Sequence, residues 1–189
     1  LSRTTVRRAL ARLASEGMIE RRHGSGTYAT LQGTVKAKAA AVTDAGVLLS
    51  DLRAMSRSTT ARILQHAVIA TPPRILAACP ELGSRVLLLQ RARTQRGRPL
   101  AVMSHYIPER LAPRFSKARL KSQPTTWVFE KAGLVPSVAS QQITAIAADH
   151  VLSRELGVSI GAPILSIRRA VRDSKGALLE YHEVFYDPE

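Results

Sequence analysis

The chain has 189 residues, of which 45% are hydrophobic, and its formal net charge at pH 7 is +14. This length and apolar content allow one full domain and a second, partial one, and they exclude an intrinsically disordered chain. No apolar run reaches the roughly 18–20 residues of a membrane span and no secretory signal is present, so we expect a cytoplasmic protein without a membrane partner.

The distribution of charge does not by itself locate a nucleic-acid-binding segment. Residues 1–30 hold six Arg and two Glu (+4), whereas residues 51–122 hold twelve Arg and two Lys against three acidic residues (+11). Arg outnumbers Lys by 22 to 6, which a coding bias towards Arg also explains. The lone Cys79 excludes an internal disulfide and argues against a cysteine metal site, so we expect no metal and no cofactor.

The first thirty residues predict a helix followed by a short hairpin. Apolar residues recur with helical spacing at Val6, Ala9, Leu10 and Leu13. Ser2 is a good N-cap, and Gly17 is placed to end the helix. Residues 18–20 and 27–29 flank a glycine-containing turn as two strands of a wing.

This helix and wing carry groups that suit DNA. The first two helical turns hold hydroxyl and cationic side chains, namely Ser2, Arg3, Thr4, Thr5, Arg7 and Arg8. The wing adds Arg21, Arg22, His23, Gly24 and Ser25. Hydroxyls and backbone N–H groups at a helix start suit phosphate oxygens, and Arg can contact a guanine edge. From these residues alone, a solvated helix and hairpin remains the alternative.

The order of these residues resembles the recognition helix and wing of GntR-family bacterial transcription regulators. The matching segments are Ser2-Arg3-Thr4-Thr5-Val6-Arg7, Ala9-Leu10, Leu13, Glu16-Gly17 and residues 20–28. The resemblance implies that the full-length protein binds double-stranded operator DNA through Arg3, Thr4, Thr5 and Arg7, with His23 and Gly24 beside the minor groove. It also implies two helices ahead of the recognition helix, so we expect these 189 residues alone to bind an operator weakly or not at all.

Beyond the wing, residues 31–57 predict a linker with a short strand near Val47–Leu52, and residues 58–189 predict an α+β domain with a mainly antiparallel sheet. The predicted strands cover residues 63–70, 86–94, 100–107, 138–147, 164–171 and 178–186. A short helix ends near Leu82 and another covers residues 126–132. A third helix runs from an Asp149 cap to Leu156, where Gly157 ends it.

Two pairs of polar residues fall in phase on the predicted strands. Arg91 and Arg93 are two residues apart, and Glu180 and Tyr186 are six apart, so each pair shares one strand face. Two guanidinium groups converging on a concave surface would bind a carboxylate or a phosphate. On spacing alone, a solvated strand face of an Arg-rich protein is the favoured explanation of Arg91 and Arg93.

The second domain resembles the UTRA effector domain of the HutC-like branch of GntR regulators. The motifs are Arg91-Ala92-Arg93, Gly97-Arg98-Pro99, Tyr106-Ile107-Pro108, Gly133, Leu156-Gly157, Ala162-Pro163-Ile164-Leu165 and Glu180-Tyr181. The resemblance implies a fold similar to chorismate lyase. It also implies that the effector contacts Arg91, Arg93, Thr125 or Thr126, Glu180 and Tyr186. Met103 departs from the pattern, because an acidic residue often stands there.

These observations predict a homodimeric repressor that senses a small anionic metabolite and changes its operator binding. Pairing of the UTRA domains would then set the spacing of two recognition helices along an operator palindrome. The alternative is a chorismate-lyase-like enzyme acting on a small organic acid, for which His105, Glu180 and the two Arg would supply acid–base groups. The sequence holds no Ser/His/Asp order, metal cluster or phosphate loop, so we expect no catalytic residues.

Overall fold

The computed structural model describes residues 2–15, 19–22, 26–29, 35–44, 58–120 and 124–187. The first helix, α1 (Arg3–Ser15), begins where predicted, because the Oγ atom of Ser2 accepts a hydrogen bond from the backbone N–H of Thr5 at 3.2 Å. Strands β1 (Ile19–Arg22) and β2 (Gly26–Ala29) form the predicted wing as an antiparallel ribbon. Arg21 and Arg22 lie within β1, not in the turn, since β1 is longer than predicted.

The remaining strands form one seven-stranded sheet in which every pairing is antiparallel. They are β3 (Val35–Asp44), β4 (Thr60–Ala70), β5 (Arg85–Gln95), β6 (Arg98–Pro108), β7 (Pro136–Ala147), β8 (Pro163–Asp173) and β9 (Leu178–Tyr186). Their order across the sheet is β3-β7-β8-β9-β6-β5-β4. The predicted α+β fold with a mainly antiparallel sheet is therefore confirmed, and all six predicted strands of the second domain are present.

Strand β3 corrects the prediction that residues 31–57 form a linker. Residues 39–44 pair continuously with residues 138–143 of β7, so this segment is an edge strand of the sheet. An edge strand is held by backbone hydrogen bonds to one neighbour, and the Ala-rich segment shows no apolar alternation that would have predicted it. The short strand predicted near Val47–Leu52 lies outside the described residues.

Helices cover both faces of the sheet. We call the face that carries Leu87, Leu89, Arg91 and Arg93 the α4 face. It packs against a 3₁₀ helix (Glu109–Arg114), α3 (Lys117–Leu120) and α4 (Thr125–Lys131), with Phe115, Val128 and Phe129 in the core. The opposite face, called the α2 face, packs against α2 (Pro73–Ala78), a 3₁₀ turn (Pro80–Leu82) and α5 (His150–Leu156). The 3₁₀ helix and α3 were not predicted, because helices of six and four residues are too short to show a period.

Local chemistry ends and connects these elements largely as predicted. The Oδ1 atom of Asp149 accepts hydrogen bonds from the backbone N–H groups of Val151 (2.9 Å) and Leu152 (2.8 Å), and Gly157 ends α5 with φ +73°. The β5–β6 hairpin turns on Arg96 and Gly97, both with positive φ, as a tight two-residue turn requires. None of the helices in the described ranges is long and apolar enough to cross a membrane.

Candidate functional site

A small cavity opens on the α4 face, where β5, β6 and β9 meet the start of α4. It has a volume of about 20 Å³, room for about one water molecule. The strands contribute Arg91, Arg93, Met103, His105, Glu180 and His182, and the α4 end contributes Pro124, Thr125 and Thr126. The structure therefore brings together five of the six residues predicted to contact an effector. Tyr186 shares the α4 face but does not line the cavity.

Arginine is buried in this region to an unusual extent. Arg91, Arg93 and Arg169 are 2%, 4% and 7% exposed, although Arg side chains are seldom fully buried. The two-residue spacing places Arg91 and Arg93 on the same face, as predicted. Arg169 reaches this face from β8, where its Nε and Nη2 atoms donate to Oε1 of Gln141 at 3.2 and 2.7 Å.

A chain of hydrogen bonds links the buried polar side chains. Nη2 of Arg91 donates to Nε2 of His105 at 3.2 Å, and Nδ1 of His105 donates to Oε2 of Glu180 at 3.0 Å. Nδ1 of His182 donates to the other carboxylate oxygen of Glu180 at 3.2 Å. Because Arg has no acceptor atom, its bond to His105 places that ring's proton on Nδ1. Both nitrogens of His105 are therefore engaged within the protein.

The protonation states follow from this arrangement. Burial lowers the pKa of His105 to about 4, so the ring is neutral at pH 7. Burial alone would raise the pKa of Glu180, but its interactions with His105 and His182, which both hydrogen-bond to the carboxylate, hold it well below its usual range. Burial and the neighbouring Arg93 lower the pKa of Arg91 to about 10, and Arg91 stays cationic at neutral pH.

Four buried polar atoms in the cavity have no partner within the part of the chain that the structure describes. They are Nε of Arg91, Nε of Arg93, Oγ1 of Thr126 and Nε2 of His182. Buried polar groups are nearly always hydrogen-bonded, because leaving them unpaired is costly. All four belong to residues that line the same cavity, where a polar molecule would find hydrogen-bonding groups.

Sequence reasoning did not include His182 and Arg169 in the site. Tyr186 interacts electrostatically with Arg169 and Arg93. Burial raises the pKa of its hydroxyl, and both guanidinium groups oppose that rise. His182 follows Glu180 by two residues, the same spacing that identified Arg91 and Arg93, so strand alternation was the signal that could have found it. Arg169 offered no such local signal.

Among the described residues, His105, Glu180 and His182 form the group whose side chains could together bind a metal ion. One ligand atom each from His105, Glu180 and His182 lies within 4.8 Å of the others, and all three residues are buried. The Nδ1 atoms of His105 and His182 are already bonded to the Glu180 carboxylate, and the guanidinium of Arg91 lies next to His105. A cation would have to break those bonds beside a positive charge, so the arrangement suits an anion better.

The predicted DNA-contacting residues occupy the start of α1 and the wing. Thr4, Thr5, Arg7 and Arg8 are exposed, and the Ser2 hydroxyl caps the helix and contacts Oγ1 of Thr5 at 2.9 Å. Arg3 lies in the first turn of α1 and Arg22 lies in β1. His23, Gly24 and Ser25 lie outside the described residues. On the apolar stripe, Val6 is 45% exposed, while Leu10 and Leu13 are half-buried.

The family model for the UTRA domain matches residues 54–189. The chain belongs to the UTRA-domain family. A second model, for bacterial regulatory proteins of the GntR family, matches residues 1–29, which form the helix and wing. The chain is thus a GntR-type DNA-binding transcription regulator with a UTRA effector domain.

Curated relatives resemble the chain over nearly its whole length. The HTH-type transcriptional repressor NagR of Bacillus subtilis is 26% identical over 188 residues, which cover 98% of this chain and 75% of the relative. The HTH-type transcriptional regulator Rv0792c of Mycobacterium tuberculosis is 28% identical over 194 aligned positions, which cover 100% of this chain and 70% of the relative. These relatives are regulators, in agreement with the family models.

Solved structures confirm the fold of a wing and a UTRA domain in one chain. YydK of Bacillus subtilis superposes with a TM-score of 0.65 at 18% identity, covering 99% of this chain and 79% of that chain. PhnF of Mycobacterium smegmatis superposes with a TM-score of 0.59 at 19% identity, covering 100% of this chain and 81% of that chain. At these identities the likeness concerns the fold alone.

Proposed function

We propose that the UTRA domain binds a small anion in the cavity between Arg91 and His182, and that occupancy of this site changes operator binding by α1. The observation that supports this most directly is the charge balance of the α4 face. It buries three guanidinium groups, of Arg91, Arg93 and Arg169, whereas Glu180 is the one buried carboxylate on this face among the described residues. A bound anion would offset the excess positive charge.

The unpaired atoms support the same ligand class. Nε of Arg91 and Nε of Arg93 can only donate hydrogen bonds, and both line the cavity without a partner in the described ranges. Carboxylate and phosphate oxygens are the acceptors that guanidinium groups bind most strongly. A ligand larger than a water molecule has to displace side chains, and Met103, with its flexible thioether, is suited to move.

A hydrogen bond connects this cavity with the segment that leads to the DNA-binding residues. Nη1 of Arg93 donates to Oγ1 of Thr59 at 2.6 Å, and Thr59 directly precedes β4. An anion that draws the guanidinium of Arg93 towards the cavity would lengthen or break its bond to Thr59. In a homodimer, the resulting shift would alter the spacing of two recognition helices relative to a palindromic operator.

The rival function, a lyase-like enzyme, finds less support at this site. His105 is the histidine that sequence reasoning offered as its acid–base group, but Arg91 and Glu180 engage both of its ring nitrogens. A general base needs a nitrogen within hydrogen-bond reach of the substrate proton. We infer that the domain senses its ligand and does not transform it.

Calorimetric titration of the full chain with anions tests the proposal. Inorganic phosphate, sugar phosphates and small carboxylates are the probes, with uncharged sugars as negative controls. We expect at least one anion to bind and Arg91→Ala to abolish that binding. Arg85→Ala is the matched control, because Arg85 lies on the same strand, is 57% exposed and pairs with Glu109. Binding that survives Arg91→Ala, or that Arg85→Ala removes equally, would refute the assignment.

A further inference from the structure

Glu180 determines where the proton of His182 lies. The carboxylate is ionised and can only accept, so Nδ1 of His182, 3.2 Å from Oε1, must carry the proton. The same reasoning, applied through Arg91, puts the proton of His105 on Nδ1. With its proton on Nδ1, a neutral His182 presents Nε2 as a bare hydrogen-bond acceptor.

This acceptor faces the cavity. His182 is 1% exposed and lines the cavity, and its Nε2 has no partner among the described residues. The other ring nitrogen, Nδ1, is already bonded to Glu180, so Nε2 is the ring atom left to meet a ligand. A buried acceptor without a donor is costly, and a ligand in the cavity can supply the donor.

The two sides of the cavity therefore offer opposite hydrogen-bonding groups. Its β5 side offers unpaired N–H donors from Arg91 and Arg93, and its β9 side offers the acceptor of His182. Between them, on β6, Met103 supplies an apolar wall; it pairs with Arg91 on one side and with Val184 on the other. A ligand that satisfies both sides has acceptor oxygens at one end and a donor group at the other.

We propose that the ligand is a small anion that also carries a hydroxyl or N–H group, and that Nε2 of His182 accepts the hydrogen bond from this group. The inference rests on the anion site proposed above and adds His182 as a residue that determines specificity. An anion without a donor would leave Nε2 buried and unpaired. Sites built to hydrogen-bond a ligand hydroxyl discriminate strongly against analogues that lack it.

Pairs of anions that differ only in their hydroxyl groups test this on the full chain by calorimetric titration. Glycerol 3-phosphate is compared with propyl phosphate, and lactate with propionate, while sulfate, which carries no hydroxyl group at neutral pH, reports on the arginines alone. We expect the hydroxyl-bearing member of at least one pair to bind about tenfold more tightly than its partner. Equal affinities within each pair would mean that a bound water molecule, and not the ligand, supplies the donor to Nε2.

Two substitutions of His182 separate the acceptor from the bond to Glu180. His182→Asn keeps an N–H group near the position of Nδ1 but has no atom at Nε2. The affinities of the two anions of a pair should then differ by no more than about twofold. His182→Gln places an amide oxygen near the position of Nε2 and should retain the preference. Thermal unfolding of both variants verifies that they fold, and a hydroxyl preference retained in His182→Gln shows that its loss in His182→Asn follows from the missing acceptor.

The outcomes distinguish this inference from the anion site itself. If both members of every pair bind equally, or if the preference survives in His182→Asn, the role of His182 is wrong and the anion site stands. If none of the phosphates and carboxylates binds, both proposals are wrong.

Discussion

The Nδ1 atom of His105 lies 3.0 Å from Oε2 of Glu180, and the two side chains are 3% and 4% exposed. Arg91 donates to the other ring nitrogen, so the imidazole is held neutral between a cation and an anion. Burying a histidine in its neutral form links the stability of the fold to pH, because the unfolded chain can protonate that ring freely.

Acidification should therefore destabilise the protein. The pKa of His105 is lowered from its ordinary value of 6.5 to about 4 in the fold. Between these pH values the unfolded chain binds more protons than the folded chain, so the free energy of unfolding decreases as pH falls from about 6.5 to 4. The pKa of Glu180 is also lowered, so its contribution is present above its ordinary value of 4.5 and is lost as pH falls below it.

Urea unfolding between pH 7 and pH 4.5 measures this effect, with His105→Asn as the comparison. Asn keeps an N–H group for Glu180 but does not titrate, so its stability should depend less on pH, by up to about 1.4 kcal/mol per pH unit. The other histidines are common to both proteins and cancel. Equal slopes would show that His105 is not held neutral.

Strand alternation is local, and this explains which half of the cavity could be predicted. Arg91 and Arg93 share a face whatever the order of the strands, so their spacing was enough. Arg169 meets His182 because β8 lies beside β9, and His182 meets His105 because β9 lies beside β6. Strand order and register join residues that are distant in sequence, and no local pattern specifies them.

The same reasoning applies to the fold. Strands β5, β6 and β9 bury most of their length, so their composition and flanking turns predicted them closely. Asp149 and Gly157 act through contacts a few residues away, and both ends of α5 were predicted. Strand β3 is joined to the sheet through its pairing with β7, and its Ala-rich sequence carried no comparable signal.

Glu183 should contribute to stability and not to anion binding. It is 1% exposed on the α2 face, where Nη1 of Arg74 lies 2.7 Å from Oε2 and Nε of Arg168 lies 3.1 Å from Oε1. We expect Glu183→Gln to lower the free energy of unfolding by about 1–3 kcal/mol, less than for a fully buried pair, since both Arg can rehydrate. Denaturant unfolding and anion titration measure the two effects.

Glu81→Gln is the control for this substitution. Glu81 pairs with Arg172 but is 53% exposed, so its loss should change stability by at most about 1 kcal/mol. An anion affinity that falls in Glu183→Gln would mean that the two faces of the sheet are coupled.

Arg7 should matter for operator recognition more than its charge alone explains. It is exposed on the second turn of α1, where a guanidinium group can reach a guanine edge. We expect Arg7→Ala in the full-length protein to weaken binding to an operator selected from a random DNA pool by about 1–3 kcal/mol, measured by fluorescence anisotropy. Arg154→Ala removes the same charge from α5 and should have little effect. Equal losses in both variants would indicate a bulk charge effect.

Thr59 is placed to transmit occupancy of the cavity, because its hydroxyl accepts a 2.6 Å hydrogen bond from Arg93 and it directly precedes β4. We expect Thr59→Val to retain anion binding while reducing the change in operator affinity that a saturating anion produces, a coupling that is typically about 5- to 150-fold in regulated proteins. Gel shifts with and without the tightest-binding anion measure it. Thr60→Val is the matched control, since its hydroxyl contacts Oγ1 of Thr94 at 2.7 Å and not Arg93. Coupling that persists in Thr59→Val, or that both variants lose equally, would place the transmission elsewhere.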